Sequence, residues 1–267
     1  MKQRLDRLLV EKDLARSRHQ AQGLIMSGQV WVDGVRRDKP GFFTVETADI
    51  QVESPPRYVS RAGDKLAAAN QKFELDFTGK VVLDVGASTG GFTDYALQNG
   101  AERVYAVDVG THQLHEKLGG HERVVVMEKT DIRQLHPDPT QSQFWVPGFP
   151  SQFQSPDMAM VDVSFISLRQ VLPAVVEVLQ PGAPIIAMCK PQFEAGAREA
   201  TKHKGVIKND RLRRDILKQF EAWLSQNGLF VRDKADSEVT GAKGNVERFY
   251  LLVKARGQQE KGARSKK

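Results

Sequence analysis

The sequence predicts an α/β protein: a mostly parallel sheet of seven strands covered by helices on both faces, preceded by a small α+β unit. Three observations predict it. From residue 61 onward short apolar runs alternate with helical stretches; the run at 81–85 passes into a glycine-rich turn and then a helix; and Ser54-Pro55-Pro56 interrupts the chain, because consecutive prolines favour extended backbone and cannot continue a helix. A chain of 267 residues, 40% hydrophobic and 27% charged, is long and apolar enough for one full core plus a smaller module. Disordered and collagen-like classes are excluded.

The elements follow in order. Leu5, Leu8 and Leu9 recur at helical spacing, Leu14 follows a turn at Asp13, and Ser17 can cap a second helix carrying Ala21, Leu24 and Ile25, which stops near Gly28. Residues 30–32 and 50–52 are short and β-like, with Asp33-Gly34 as a turn signal before Val35. Beyond the prolines, strands are expected at 81–85, 103–107, 124–127, 158–162 and 185–189, with a terminal hairpin from 230–231 and 249–253. Helices are expected near 61–73, 91–99, 166–179 and 209–227. Apolar strands joined by helical crossovers make a parallel sheet buried on both faces. The boundaries that result are a unit at 1–53, a linker at 54–60, a large domain at 61–255 and a basic, disordered tail at 256–267. Residues 137–156, rich in Pro, Gln and Ser, read as an exposed loop.

Charge and composition narrow the partners. The net charge is +6, with basic side chains concentrated in the first 40 residues and in the final segment from Lys254. Basic ends suggest a polyanion, and nucleic acid is favoured over membrane because neither end reads as a helix with a broad apolar face. The longest apolar runs, such as 183–189, fall far short of the roughly 18 residues that span a bilayer. The start lacks the apolar stretch of a signal peptide, so a cytoplasmic protein is expected. Cys189 is the only cysteine, which excludes an intramolecular disulfide and a cysteine-rich zinc cluster; no metal is expected.

The stretch from Asp84 through Gly86, Ala87, Ser88, Thr89, Gly90, Gly91 and Phe92 is a strand end, a glycine-rich turn and a helix start. Glycines there let backbone approach a ligand at the carboxyl edge of the first sheet strand, and a nucleotide-type ligand is expected. The spacing matches neither GxGxxG nor a P-loop. Asp108, after the second strand, can accept both hydroxyls of an adenosine ribose, and Asp131, after the third, is placed to meet the exocyclic amine of an adenine. Without a diphosphate signature, and with Asp84 offering negative charge to a cationic ligand, S-adenosylmethionine is favoured over NAD.

The acceptor side points to a hydroxyl. The Asn/Asp-Pro-Pro-aromatic loop used on exocyclic amines is absent, since Asp162-Val163-Ser164-Phe165 stands after the fourth strand. Attack on a pyrimidine carbon would need a cysteine, and Cys189 reads as a small buried apolar residue. A ribose hydroxyl, with a pKa of about 12 or above, needs a base or strong electrostatic help. Lys65, on the helix before the first sheet strand, Asp162 and Lys190, ending the fourth and fifth strands, and Glu247, beginning the last, could supply it. Desolvation can lower a lysine pKa while neighbouring carboxylates oppose that shift.

The stretches RLDRLLVEKDLARSRHQAQGLIMSGQVWVDG, YVSRAGDKL, DVGASTGGFTDYAL, AVDVGTHQL, VDVSFISL, CKPQFEAG and GAKGNVERFYLLV together resemble the TlyA family, also known as haemolysin A, over nearly the whole chain. The resemblance implies an RNA-binding domain of the ribosomal-protein S-four type joined to a Rossmann-like class I methyltransferase domain of the FtsJ/RrmJ kind. It further implies S-adenosylmethionine-dependent 2′-O-methylation of ribosomal RNA at cytidines of the small and large subunits. The family's Lys-Asp-Lys-Glu tetrad falls on Lys65, Asp162, Lys190 and Glu247; Gly86 to Gly90 and Asp108 would hold the cofactor, and Arg4, Arg16, Ser17 and Arg18 would face ribosomal RNA or a subunit. The chain departs from the family pattern in a longer 137–156 segment, in Thr111-His112 before Gln113-Leu114, and in Asp131 where Asn is common. A non-catalytic ribosome-assembly factor and a membrane-active haemolysin are the rival classes.

Overall fold

The computed structural model describes residues 2–53, 57–135, 153–196, 206–207, 209–238 and 244–254. Most of the expected 137–156 loop and the expected tail at 256–267 lie outside them. The chain divides into two compact units, Met1–Arg57 and Tyr58–Lys267.

In the small unit, β1 (Lys2–Arg4), α1 (Leu5–Glu11), α2 (Arg18–Met26), β2 (Val30–Val32), β3 (Val35–Arg37), β4 (Phe43–Val45) and β5 (Ile50–Val52) follow one another. The two helices are those the leucine spacing predicts. Ser17 caps α2 by accepting from the Gln20 backbone N–H at 3.2 Å, while the Gln20 side chain accepts from the Arg16 N–H at 2.8 Å, a reciprocal cap that satisfies two otherwise orphaned donors. Strands β3, β2 and β5 form one small sheet, and β1 pairs with β4 in a second. The β1–β4 pair was not expected: three residues a side, with Phe43 and Val45 exposed, leave almost no alternation to read. Leu5, Leu9, Ala21, Ile25, Val30 and Val32 close a core of their own.

In the large unit α3 (Arg61–Phe73), β6 (Val81–Val85), α4 (Gly91–Gln98), β7 (Arg103–Val107), α5 (Glu116–Gly119), β8 (Val124–Met127), β9 (Met158–Val161), α6 (Leu168–Val178), β10 (Pro184–Cys189), α7 (Pro191–Glu194), α8 (Asp210–Gln226), β11 (Leu229–Asp236) and β12 (Arg248–Lys254) build the expected seven-stranded sheet. Its order is β11-β12-β10-β9-β6-β7-β8, and β12 alone runs against its neighbours. Successive side chains of a strand point to opposite faces, so Leu83 and Val85 meet α6 and α8 through Leu172, Val175 and Phe220. On the other face Val82 joins Leu66, Phe73, Phe92 and Phe249.

Strand β11 is eight residues long, where only residues 230–231 were expected. Its tail, Arg232 to Asp236, alternates exposed and half-buried positions on a sheet edge and is charged at all but Ala235, so its strand character comes from the antiparallel ladder with β12 rather than from hydrophobicity. Three expected site residues shift by one position: Asp162 and Lys190 each stand just past β9 and β10, and Glu247 just before β12. At such ends the backbone leaves the ladder and the side chain can face a cleft. No helix among the described residues is long and apolar enough to cross a membrane.

Candidate active site

From β6 the chain steps outward to β7 and β8, then crosses back to place β9 on the other side of β6. The resulting crevice, beyond the carboxyl ends of β6 and β9, is where open α/β sheets bind ligands. The turn leaving β6 fills its floor. Gly86 has φ 82, Ser88 φ 48 and Gly90 φ 94, and a Cβ on Gly86 would collide with the backbone carbonyl of Asp162. Gly86→Ala is therefore expected to cost about 2 kcal/mol or more of stability, from left-handed strain plus the collision. A thermal melt checks it; an unchanged midpoint would show that the β6 and β9 exits are not packed as described.

Two adjoining cavities open from this turn. The larger, about 720 Å³, is lined by Gly86, Ser88, Asp108, Asp131, Asp162 and Phe165 among others. The smaller, about 150 Å³, is lined by Ala87, Thr89, Gly91, Phe92, Ser164 and Lys190, with Ser60, Gly86, Ser88 and Asp162. Asp108 accepts from the Ser88 N–H at 2.8 Å and the Gly110 N–H at 2.7 Å, so it pins the glycine turn to the loop after β7. Asp131 is gripped by Arg133, with Nη2 to Oδ2 at 2.6 Å, and that hydrogen bond with the accompanying charge holds its carboxyl below the usual range.

Asp84 and Gly90 sit differently from the other expected cofactor residues. Asp84 is fully buried beneath the turn, where it accepts from Thr93 Oγ1 at 2.6 Å, and it is not among the side chains lining either cavity. Burial pushes its carboxyl up to about 7. Gly90 backs onto Leu114 and Leu118, which a Cβ would strike.

The four residues expected at the acceptor end form two ion pairs. Lys65 Nζ donates to Glu247 Oε2 at 2.6 Å, and Lys190 Nζ lies 2.6 Å from Asp162 Oδ1. All four side chains are mostly withdrawn from solvent, Lys190 at 11% and Glu247 at 5% exposure. The charges of Lys190, Glu247 and Lys65 all reach Asp162, whose carboxyl burial pushes up and Lys190 pulls down. Lys190 Nζ also donates to Ser164 Oγ at 2.8 Å.

Sequence reasoning missed three residues here. Ser164 is one. Phe165 is the second: it is 92% exposed, has φ 65, lines the larger cavity and lies with its ring centroid 5.3 Å from that of Phe193. A bulky aromatic held in a left-handed conformation and left in water is a signal of function that a structure can show. Glu194 is the third; it accepts from Ser167 Oγ at 2.6 Å and the Leu168 N–H at 2.7 Å, tying the exit of β10 to the start of α6. Burial pushes its carboxyl up. Cys189 is completely buried and its thiol is pushed well up by that burial, which suits a core side chain and not a nucleophile.

In the small unit, Arg4 and Arg18 converge on the buried Asp6. Arg4 Nε and Nη2 reach its two oxygens at 3.0 and 2.9 Å, Arg18 Nε reaches Oδ2 at 2.9 Å, and Gln22 Nε2 adds a contact at 3.0 Å. Arg16 and Ser17 are exposed at the start of α2.

A seven-stranded sheet with a single reversed strand and a glycine turn at its crossover point is the architecture of the methyltransferase class. The chain belongs to the FtsJ-like methyltransferase family, in its TlyA branch: the FtsJ-like methyltransferase model matches residues 58–255 and the S4 domain model residues 3–44. It is 43% identical over 263 residues to the Bacillus subtilis protein named "Putative rRNA methyltransferase YqxC", covering 98% of this chain and 89% of that one. It is 37% identical to the Mycobacterium tuberculosis 16S/23S rRNA (cytidine-2′-O)-methyltransferase TlyA, covering 93% of this chain and 89% of the relative. A solved structure, "Putative hemolysin from Streptococcus thermophilus", superposes with a TM-score of 0.69 at 37% identity, covering 96% of this chain and 90% of that one.

Proposed function

We propose that this protein is an S-adenosylmethionine-dependent 2′-O-methyltransferase of ribosomal RNA, acting on cytidine ribose in the small subunit, the large subunit or both. The observation that carries the reading is the pair of buried lysine–carboxylate contacts, Lys65–Glu247 and Lys190–Asp162, beside the glycine turn. The names of the two enzymes and the S4 domain support RNA as the acceptor.

The residues present fit the cofactor. A Cβ at Gly86 would strike the Asp162 backbone, Asp108 and Asp131 line the larger cavity with carboxylates able to accept from a ribose and an adenine, and the carboxylate of Asp162 suits a positively charged centre. When bound, S-adenosylmethionine supplies an electrophilic methyl group on a cationic sulfur. Lys190 Nζ reacts from its neutral amine form: its two N–H bonds are directed to Asp162 and Ser164, its lone pair takes the proton of the acceptor 2′-hydroxyl as the oxygen is methylated, and the ammonium that results is paired with Asp162. Asp162 and Glu247 offset the charge of the two lysines, and Glu247 holds Lys65 at the rim.

Phe165 offers an exposed ring on which the acceptor base can stack. Base–aromatic stacking is worth about 1–3 kcal/mol, so Phe165→Ala is expected to lower kcat/KM for ribosomal RNA roughly ten-fold, and Phe165→Tyr to retain most of it. Equal steady-state rates for wild type and Phe165→Ala would remove the ring from the acceptor site.

Mass-spectrometric mapping of 2′-O-methylated riboses, on ribosomal RNA and on isolated subunits incubated with cofactor with and without the protein, tests the whole reading. A new 2′-O-methylcytidine is expected. No methylated product on any substrate would favour the assembly-factor reading.

A further inference from the structure

Two arginines of the small unit, Arg4 and Arg18, share one buried carboxylate. Asp6 is 0% exposed, yet it lies on the first helix of a basic module. A buried carboxylate is costly unless its oxygens are matched by donors, and Arg4, Arg18 and Gln22 match them. Together these contacts hold its carboxyl well below the usual range, with Arg4 the largest cause.

The contacts differ in what they leave free. Arg4 commits Nε and Nη2 to Asp6. Arg18 commits only Nε, and its side chain remains 49% exposed. Among the described residues no other hydrogen bond or ion pair of the Arg18 guanidinium accompanies the one to Asp6. Its outer edge, carrying both terminal nitrogens, is thus held in a fixed plane at the exposed start of α2. A planar fork with two parallel N–H donors suits a phosphate oxygen pair, and fixing the fork in advance removes the rotamer entropy that binding would otherwise cost.

We infer that Asp6 is a positioning residue for RNA: its buried carboxylate orients the Arg18 guanidinium, with Arg4 as a buttress, to receive a backbone phosphate. The inference rests on the proposed RNA-binding role of the small unit and deepens it. It also predicts a sign opposite to simple charge counting. Removing an acid from a basic surface should strengthen binding to a polyanion by long-range attraction, whereas removing the acid that aims the fork should weaken it.

The test uses the full chain and in-vitro-transcribed 16S and 23S ribosomal RNA, with binding followed across a potassium chloride series. Arg18→Ala is expected to weaken binding about ten-fold and to reduce the slope of log affinity against log salt by about 1. Asp6→Asn should weaken binding by a similar factor in the parent chain and by less than two-fold in the Arg18→Ala background. That non-additivity is a readout that general destabilisation would not produce. Because Asp6→Asn removes a buried partner and can unfold the unit, Arg18→Lys is the second variant: it keeps the charge but loses the fork, and should lose most of the affinity that Arg18→Ala loses. Asp6→Asn binding as tightly as the parent or tighter, additive losses in the double variant, or wild-type affinity in Arg18→Lys would each overturn the inference. Salt-independent binding by the parent chain, with no loss in Arg18→Ala, would instead overturn the RNA-docking reading on which it rests.

Discussion

Lys190→Ala is expected to lower methyl transfer to ribosomal RNA by roughly 10³-fold, within the range a positioned general base supplies, while leaving affinity for the RNA close to that of the parent chain. The asymmetry comes from where the residue sits. Lys190 Nζ is packed against Asp162 and Ser164 at the rim of the crevice and is only 11% exposed, so it contributes little to a docking surface. Its removal leaves Asp162 buried without its nearest cation, and that carboxyl, already pushed up by burial, then rises further and tends to hold a proton. The variant loses the base and a neighbouring charge at once. Single-turnover methylation measured beside filter binding separates the two effects. Undiminished turnover would refute the role given to Lys190, and a matched loss of RNA affinity would make it a binding residue.

Asp84→Asn is expected to flatten the dependence of stability on pH between about 4 and 7. Burial raises the Asp84 carboxyl to about 7 in the folded chain, whereas the unfolded chain carries an ordinary aspartate near pH 4. Between those values the folded state holds the proton and the unfolded state has released it, so stability falls as pH rises. The contribution is fully present below the unfolded pKa and lost once pH passes the folded one. At about 1.4 kcal/mol per pH unit across roughly three units, as much as about 4 kcal/mol is at stake. Asparagine can still accept from Thr93 and never ionises. Denaturant unfolding of both chains at pH 4, 5.5, 7 and 8 measures it; parallel curves would show that Asp84 does not titrate in this window.

The elements with a strong period were legible from residues alone. The helix at Arg61–Phe73 and the strands Val81–Val85, Arg103–Val107 and Val124–Met127 have the expected bounds, because apolar spacing and a bounding turn act locally. The edge strand after α8 was largely missed, since its charged tail is extended only through pairing with its neighbour. The exposed ring of Phe165 was read merely as part of a loop that lacks two prolines. Nothing in the spelling of that loop distinguishes a ring in water from a ring in a core.

By itself the sequence determined the order of strands and helices, the glycine turn, the acids that follow successive strands and the placing of Asp162, Lys190 and Glu247 at strand ends, because each depends on neighbours a few positions away. Tertiary structure decided the partnerships. Lys65 meets Glu247 across 182 residues of chain while Lys190 meets Asp162, and Asp6 is buried between two arginines rather than solvated like its neighbour Arg7. Which charges pair, and how dry they are, depends on which strand ends and helix faces converge. That convergence is set by packing of the whole sheet and of the small core, and no local pattern carries it.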